Sequence, residues 1–178
     1  MSRKKNTPYI PNSELNRGIQ LCDQNAKSLL EDAQLLFSKG SYGRSLSLAV
    51  LSMEEYAKKW ILIARSLHPD KFDKEVRDAF RDHDLKLKYA LLMLIREYPK
   101  AHPEDEILKI IEETWNKLEG LRLRGFYVDF WKERDRWLSP QDEECKRLAE
   151  VQIKLIIDHI KKIDSWVTEI PKKIRKTP

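Results

Sequence analysis

The sequence predicts an all-α protein, an up-and-down bundle of about five helices, on three observations. Apolar residues recur at alternating spacings of three and four along most of the chain, as on a helix with one buried face. Only 5 of 178 residues are Gly while 35% are charged, a composition suited to helices rather than to sandwiches or linkers. No stretch alternates convincingly with the period of two that a strand requires. The chain is also long enough to form one domain with a genuine core.

The first helix is expected to open at Ser13. It places Leu15, Ile19, Cys22, Ala26, Leu29, Ala33 and Leu36 on one face, and Gly40 follows as a stop. The second is expected from near Ser41, with Leu46, Ala49, Met53, Ala57, Trp60, Ala64 and Leu67 on its stripe before His68-Pro69 breaks it. So short a link makes the pair an antiparallel hairpin. The third carries Phe72, Val76, Phe80, His83, Leu87, Ala90 and Leu94 and ends before Pro99.

The fourth helix starts at Pro103, with Glu104, Asp105 and Glu106 in the first turn, where acids favour the helix dipole. Its stripe is Ile107, Ile110, Thr114, Leu118 and Leu121, and Gly125 is the expected C-terminal cap. The fifth begins at Ser139-Pro140-Gln141-Asp142, a capping-box pattern with proline at the first helical position. Ala149, Ile153, Ile156, Ile160, Ile163 and Val167 then line one face as far as Pro171. Each helix thus reads as one apolar stripe opposite one charged face.

The formal charge of +5 invites a nucleic-acid reading, but its location weakens it. Arg3, Lys4 and Lys5 stand in the first tail, and Lys172, Lys173, Arg175 and Lys176 in the last. Segments 1–8 and 171–178 hold these seven basic residues and no acid, so the body between carries −2. The expected layout is a basic tail over 1–12, a single domain over 13–170 and a second basic tail over 171–178. No apolar run is long enough to span a bilayer, and no apolar segment follows the basic start, so a cytoplasmic protein is expected.

Most catalytic templates are missing. The sequence has no Gly-rich phosphate loop, no Gly-x-Ser-x-Gly elbow, no His-Glu-x-x-His and no Cys/His cluster with metal spacing. Cys22 and Cys145 lie on apolar stripes, where a thiol behaves as a small buried hydrophobe. Neither a metal nor a cofactor is expected.

Three polar islands interrupt the apolar pattern. In "MEEYAKK", Met53 to Lys59, Glu54 and Lys58 stand four apart in the order that favours a surface ion pair. In "FRDHDLKLK", Phe80 to Lys88, His83 falls on the apolar stripe and is expected to face the bundle. In "LRLRGFYVDF", Leu121 to Phe130, Arg122 and Arg124 precede a lone Gly125, and Glu119 stands three residues before Arg122, able to pair with it. The connection that follows holds Phe126, Tyr127, Phe130 and Trp131, too apolar for a free loop, and is expected to fold back on the bundle.

These islands, in this order, resemble the AbiV family of abortive-infection proteins, a branch of the HEPN superfamily. The likeness rests on "GSYGRSLSLAVLSMEEYAKKW", "FRDHDLKLK" and "LRLRGFYVDFWKERDRWLSP" and covers roughly residues 22–165. It implies a HEPN-like helical bundle, a bacterial cytoplasmic setting and a phage-defence effector that arrests its host cell. It also implies a homodimer, with a phage-encoded activator as a second partner and RNA or the translation apparatus as the target. Many such relatives are metal-independent ribonucleases with an Arg-x4–6-His motif after the penultimate helix.

The chain departs from that motif, since Arg122 is followed after four residues by Tyr127 instead of His. A phenol, ordinarily titrating near ~10, is a poor general base at neutral pH but can donate a hydrogen bond. The resemblance makes Arg122, Tyr127 and His83 the catalytic candidates, and Lys58, Lys86 and Arg124 the candidates for holding RNA or phosphate. Glu54, Glu119 and Asp129 are the supporting candidates. Arg-x4–6-His also occurs at Arg77…His83 and Arg96…His102, at the rate chance allows for so short a motif. The rival reading is a non-catalytic interaction module in which the polar islands are structural ion pairs.

Overall fold

The computed structural model describes residues 10–68, 76, 80, 82, 86, 125–132 and 135–174. Its elements are a single 3-10 turn at Asn12–Glu14, helix α1 at Leu15–Ser38, helix α2 at Tyr42–Leu67, a hairpin of β1 (Asp129–Trp131) and β2 (Arg136–Leu138), and helix α3 at Glu143–Ile174. The described part is mostly helical, as the sequence predicts. The fourth expected helix lies outside the described residues, as do most of the third and both chance motif matches. A five-helix count therefore goes beyond what is described.

The α1–α2 hairpin turns where expected, and for the expected reason. Gly40 adopts φ +75°, a conformation that side chains disfavour. Around it, the Ser41 N–H donates to the Leu36 carbonyl at 2.9 Å and the Gly40 N–H to the Phe37 carbonyl at 3.0 Å. These two bonds form the Schellman arrangement that satisfies a helix's last carbonyls.

Close packing of α1 on α2 depends on small residues. Ser45 Oγ donates to the Ala33 carbonyl and Ser52 Oγ to the Ala26 carbonyl, each at 2.7 Å. Both serines and both alanines are buried, so each hydroxyl finds an acceptor on the neighbouring backbone instead of in water. One core joins Leu30, Leu46, Val50, Met53 and Trp60 to Ala149, Ile156 and Ile160 of α3. A second, smaller cluster gathers Leu15, Cys22, Ile61, Leu62 and Val76.

Helix α2 departs from the expectation of one apolar stripe. Its buried residues run all round the helix and include Ser45, Ser47, Ser52, Glu54, Lys59 and Arg65. The reason is position: α1 covers one side, α3 another, and the polar islands a third. A central helix has no solvated face to fill with charge.

Three further expectations are corrected. The third expected helix is not continuous, because Val76 and Lys86 are helical while Phe80 lies in a turn and Asp82 outside any helix. Phe80 is accordingly 42% exposed rather than core. The connection before the last helix, read as strandless, contains an antiparallel hairpin in which Phe130 pairs with Trp137. Finally, α3 runs through Pro171 to Ile174, into the segment read as a tail. Proline's fixed φ is itself helical, and so near the end its missing N–H removes one of the last bonds only.

Helix α3 opens at Glu143 instead of at Pro140. Of the expected capping box only the return bond forms as such, since Ser139 Oγ accepts from Gln141 and not from Asp142. The Gln141 N–H donates to Ser139 Oγ at 3.2 Å, and the Ser139 N–H donates back to Asp142 Oδ2 at 3.0 Å.

Candidate functional site

Described residues of the second and third polar islands meet one stripe of α2, the helix that carries the first. Gly43, Ser47, Glu54 and Lys58 follow one another at spacings of four, seven and four, which keeps them within one face of a helix. Ser45 and Ser52, which hold α1, stand about 200° round from Ser47 and Glu54 at ~100° per residue. The islands therefore dock on the side of α2 away from α1.

At the N-terminal end of this stripe sits Gly125, from the middle of "LRLRGFYVDF". Gly43 and Gly125 meet backbone to backbone. A Cβ at Gly43 would lie 2.7 Å from the Gly125 carbonyl oxygen and 2.5 Å from Pro140 Cβ. A Cβ at Gly125 would overlap the Gly43 carbonyl and the Ser47 hydroxyl. The Gly43 N–H donates to the Pro140 carbonyl at 2.7 Å, so the start of α3 is tied to the same point. Gly125 was expected as the C-terminal cap of a helix that lies outside the described residues; Gly40 alone among the described glycines has positive φ. What Gly125 needs is the space of a missing side chain.

Two turns further along, Glu54 receives the second island. Lys86 Nζ lies 3.3 Å from Glu54 Oε2, with both side chains almost fully buried. This corrects the expected Glu54–Lys58 surface pair. Glu54 points into the bundle, whereas Lys58 pairs with Glu55 one turn back and lies 5.3 Å above the Phe80 ring. Of the two lysines proposed to hold phosphate, Lys86 is thus engaged inside the protein and Lys58 is half-buried at its edge.

The third island's aromatics do not plug the bundle. Tyr127 is 66% exposed and Trp137 69%, while Phe126 and Val128 are also open to solvent. Phe130 and Trp137 stack edge to face across the hairpin at 5.3 Å. Among the described residues of this connection, Gly125 is buried against α2, while Phe126, Tyr127 and Phe130 are exposed. Among the catalytic candidates, Tyr127 therefore stands on the surface beside the Gly125 anchor.

Arg122, Arg124, Glu119 and His83 lie outside the described residues, and Asp129 is described only through its backbone in β1. Described residues near them in sequence are Gly125 and Lys86. Gly125 follows Arg124 directly, and Lys86 comes three residues after His83. Their anchor points on α2, Ser47 and Glu54, are separated by ~10 Å at 1.5 Å per residue.

A second polar cluster, which the sequence reading missed, joins α1 to α2. Lys59 Nζ bonds Asp23 Oδ1 at 2.6 Å, Lys27 bonds Asp23 Oδ2 at 2.9 Å, and Lys59 also lies 4.7 Å from the Tyr56 ring. Burial alone would raise the Asp23 carboxyl, but the hydrogen bonds and charges of Lys59 and Lys27 outweigh it and hold it below its usual 3.8. Next to it, burial pushes the Cys22 thiol above its usual 9.0, against the opposing charge of Lys58. Among the described residues, no three His, Cys, Asp or Glu side chains gather as a metal site.

The family model HEPN_AbiV, described as AbiV, matches residues 14–170. The chain belongs to the AbiV family. The match spans both helices of the α1–α2 hairpin, all three islands and most of α3, and so supports a HEPN-type function in abortive infection. No curated protein and no solved structure matches the chain. No described helix is long and apolar enough to cross a membrane.

Proposed function

We propose that this AbiV-family protein is a phage-defence effector that arrests its host by acting on RNA through a metal-independent site on α2. The observation that carries this reading is that Lys86 and Gly125, from the second and third family islands, meet one stripe of α2, which carries the first. Glu54 takes Lys86 from the island that holds His83, and Gly43 and Ser47 take Gly125 from the corner that holds Arg122 and Tyr127.

The proposed chemistry uses the candidate side chains that these islands carry. For attack by a ribose 2′-hydroxyl on the neighbouring phosphate, the Arg122 guanidinium stabilises the phosphorane's charge and His83 takes the 2′-hydroxyl proton. The P–O5′ bond then breaks, leaving a 2′,3′-cyclic phosphate and a 5′-oxygen that takes a proton from His83 or water. Tyr127, standing at the surface, donates a hydrogen bond to a phosphate oxygen or to the leaving group. Arg124 and Lys58 supply further positive charge for the RNA strand. The effector works in the bacterial cytoplasm as a homodimer, with a phage-encoded protein as its trigger.

A second reading is favoured by the buried Glu54–Lys86 pair and the exposed Phe126, Tyr127 and Trp137. In it the islands fix helix register, and the rings bind a partner protein without any cleavage. Induction in cells separates the two. Wild type, Arg122→Ala, His83→Ala and Tyr127→Phe are expressed at matched soluble levels, with and without phage, and total RNA is followed on a gel. RNA fragments that vanish in the point variants support the ribonuclease reading. Growth arrest with intact RNA supports the binding module.

A further inference from the structure

The corner that carries Arg122 and Tyr127 has one described attachment to α2 made without any side chain on its own part, at Gly125. No left-handed backbone calls for glycine at Gly43 or Gly125. Each instead occupies a site where a single methyl group would strike backbone atoms of the other. Ser47 closes the seat from one side, its Oγ 3.2 Å from the Gly43 carbonyl that it bonds, and Pro140 closes it from the other. Beyond the seat, the chain turns outward into the exposed hairpin.

We infer that Gly43 and Gly125 are positioning residues: their backbone-to-backbone clasp sets where the chain from Gly125 to Tyr127 stands relative to α2. This inference rests on the proposed ribonuclease reading. Neither glycine touches substrate. Both act through the segment they hold, and a displacement of ~1 Å at a reacting group lowers rates by about 100-fold. An added methyl group at either position cannot be accommodated by side-chain rotation, because the obstacle is main chain. The clasp must open.

The full-length protein tests this through Gly43→Ala and Gly125→Ala, with Gly18→Ala as the control. A Cβ at Gly18 meets only the tip of the Leu62 side chain, at 3.2 Å, on the α1 side of the bundle. The measurements are helical circular dichroism, the rate of tryptic cleavage after exposed Lys132, and steady-state cleavage of a single-stranded RNA.

Both clasp variants are expected to keep their helical signal, to be cut faster after Lys132, and to lose kcat by about 100-fold with KM for RNA little changed. The control should match wild type in all three. Wild-type trypsin resistance with wild-type kcat in the clasp variants overturns the inference, and so does a released hairpin with kcat intact. If a glycine variant does not fold, Ser47→Val crowds the same seat from the helix side and leaves both glycines in place. It should show the same release and loss, and wild-type behaviour there counts equally against the clasp. If the wild type itself leaves RNA intact, the ribonuclease reading falls, and positioning for cleavage falls with it. The Lys132 cleavage rate still reports separately whether the glycines hold the corner.

Discussion

The Glu54 carboxylate and the Lys86 ammonium lie 3.3 Å apart, and both are almost entirely out of water. Removing one member of such a pair takes a close counter-charge away from the other in the interior. Glu54→Gln or Lys86→Met should therefore destabilise the protein by ~3–5 kcal/mol, read as a lower urea midpoint. Replacing both, as Glu54→Leu with Lys86→Met, should recover most of the loss, because the desolvation penalty leaves with the charges.

The pair also shows what the sequence made legible and what it did not. The periodicity located α1, α2 and α3 and the Gly40 turn, because helix spacing and capping are local properties of the chain. It could not say that Glu54 points inward, because that depends on which neighbours enclose α2. A signal was present: Ser45 to Met53 contains no charged residue, as expected of a helix buried all round. The same limit applies to Gly125, where local rules suggested a cap and a contact with Gly43, distant in sequence, set the requirement. The hairpin was missed because its strands, Asp129–Trp131 and Arg136–Leu138, are too short to show a period of two.

Acid should weaken the α1–α2 interface through Asp23. Its folded carboxyl titrates below the ordinary 3.8, so above 3.8 both states are ionised and the contribution is fully present. As pH falls below that value the unfolded chain takes up the proton first, and the contribution disappears as pH passes through the lower folded value. Stability measured from pH 6 down to pH 2 should fall less steeply in Asp23→Asn than in wild type. Equal slopes would mean that Lys59 and Lys27 do not hold this carboxyl.

The hydroxyl bridges between α1 and α2 should each be measurable. Ser52→Ala removes the 2.7 Å bond to the Ala26 carbonyl and should cost about 1 kcal/mol, as should Ser45→Ala at Ala33. A larger residue such as leucine at position 52 should cost more, because it prevents the close approach that the facing alanines permit. Chemical denaturation of the single variants checks both.

Gly40→Ala isolates a backbone effect. A Cβ at Gly40 meets nothing within 4 Å, so the φ of +75° alone decides the outcome. The expected loss is about 1–2 kcal/mol, the penalty for a side chain in left-handed backbone. Gly40→Asn, which tolerates that conformation better, should lose less.

The central claim is that the islands gathered on α2 form a site that cuts RNA. It is tested most directly with purified full-length protein and single-stranded RNA in EDTA, comparing wild type with Arg122→Lys and Tyr127→Phe at matched urea midpoints. The account predicts fragments with wild type, their near-complete loss in Arg122→Lys because guanidinium geometry is required, and a partial loss in Tyr127→Phe. RNA left intact by the wild type, or cut equally by all three proteins, would contradict it.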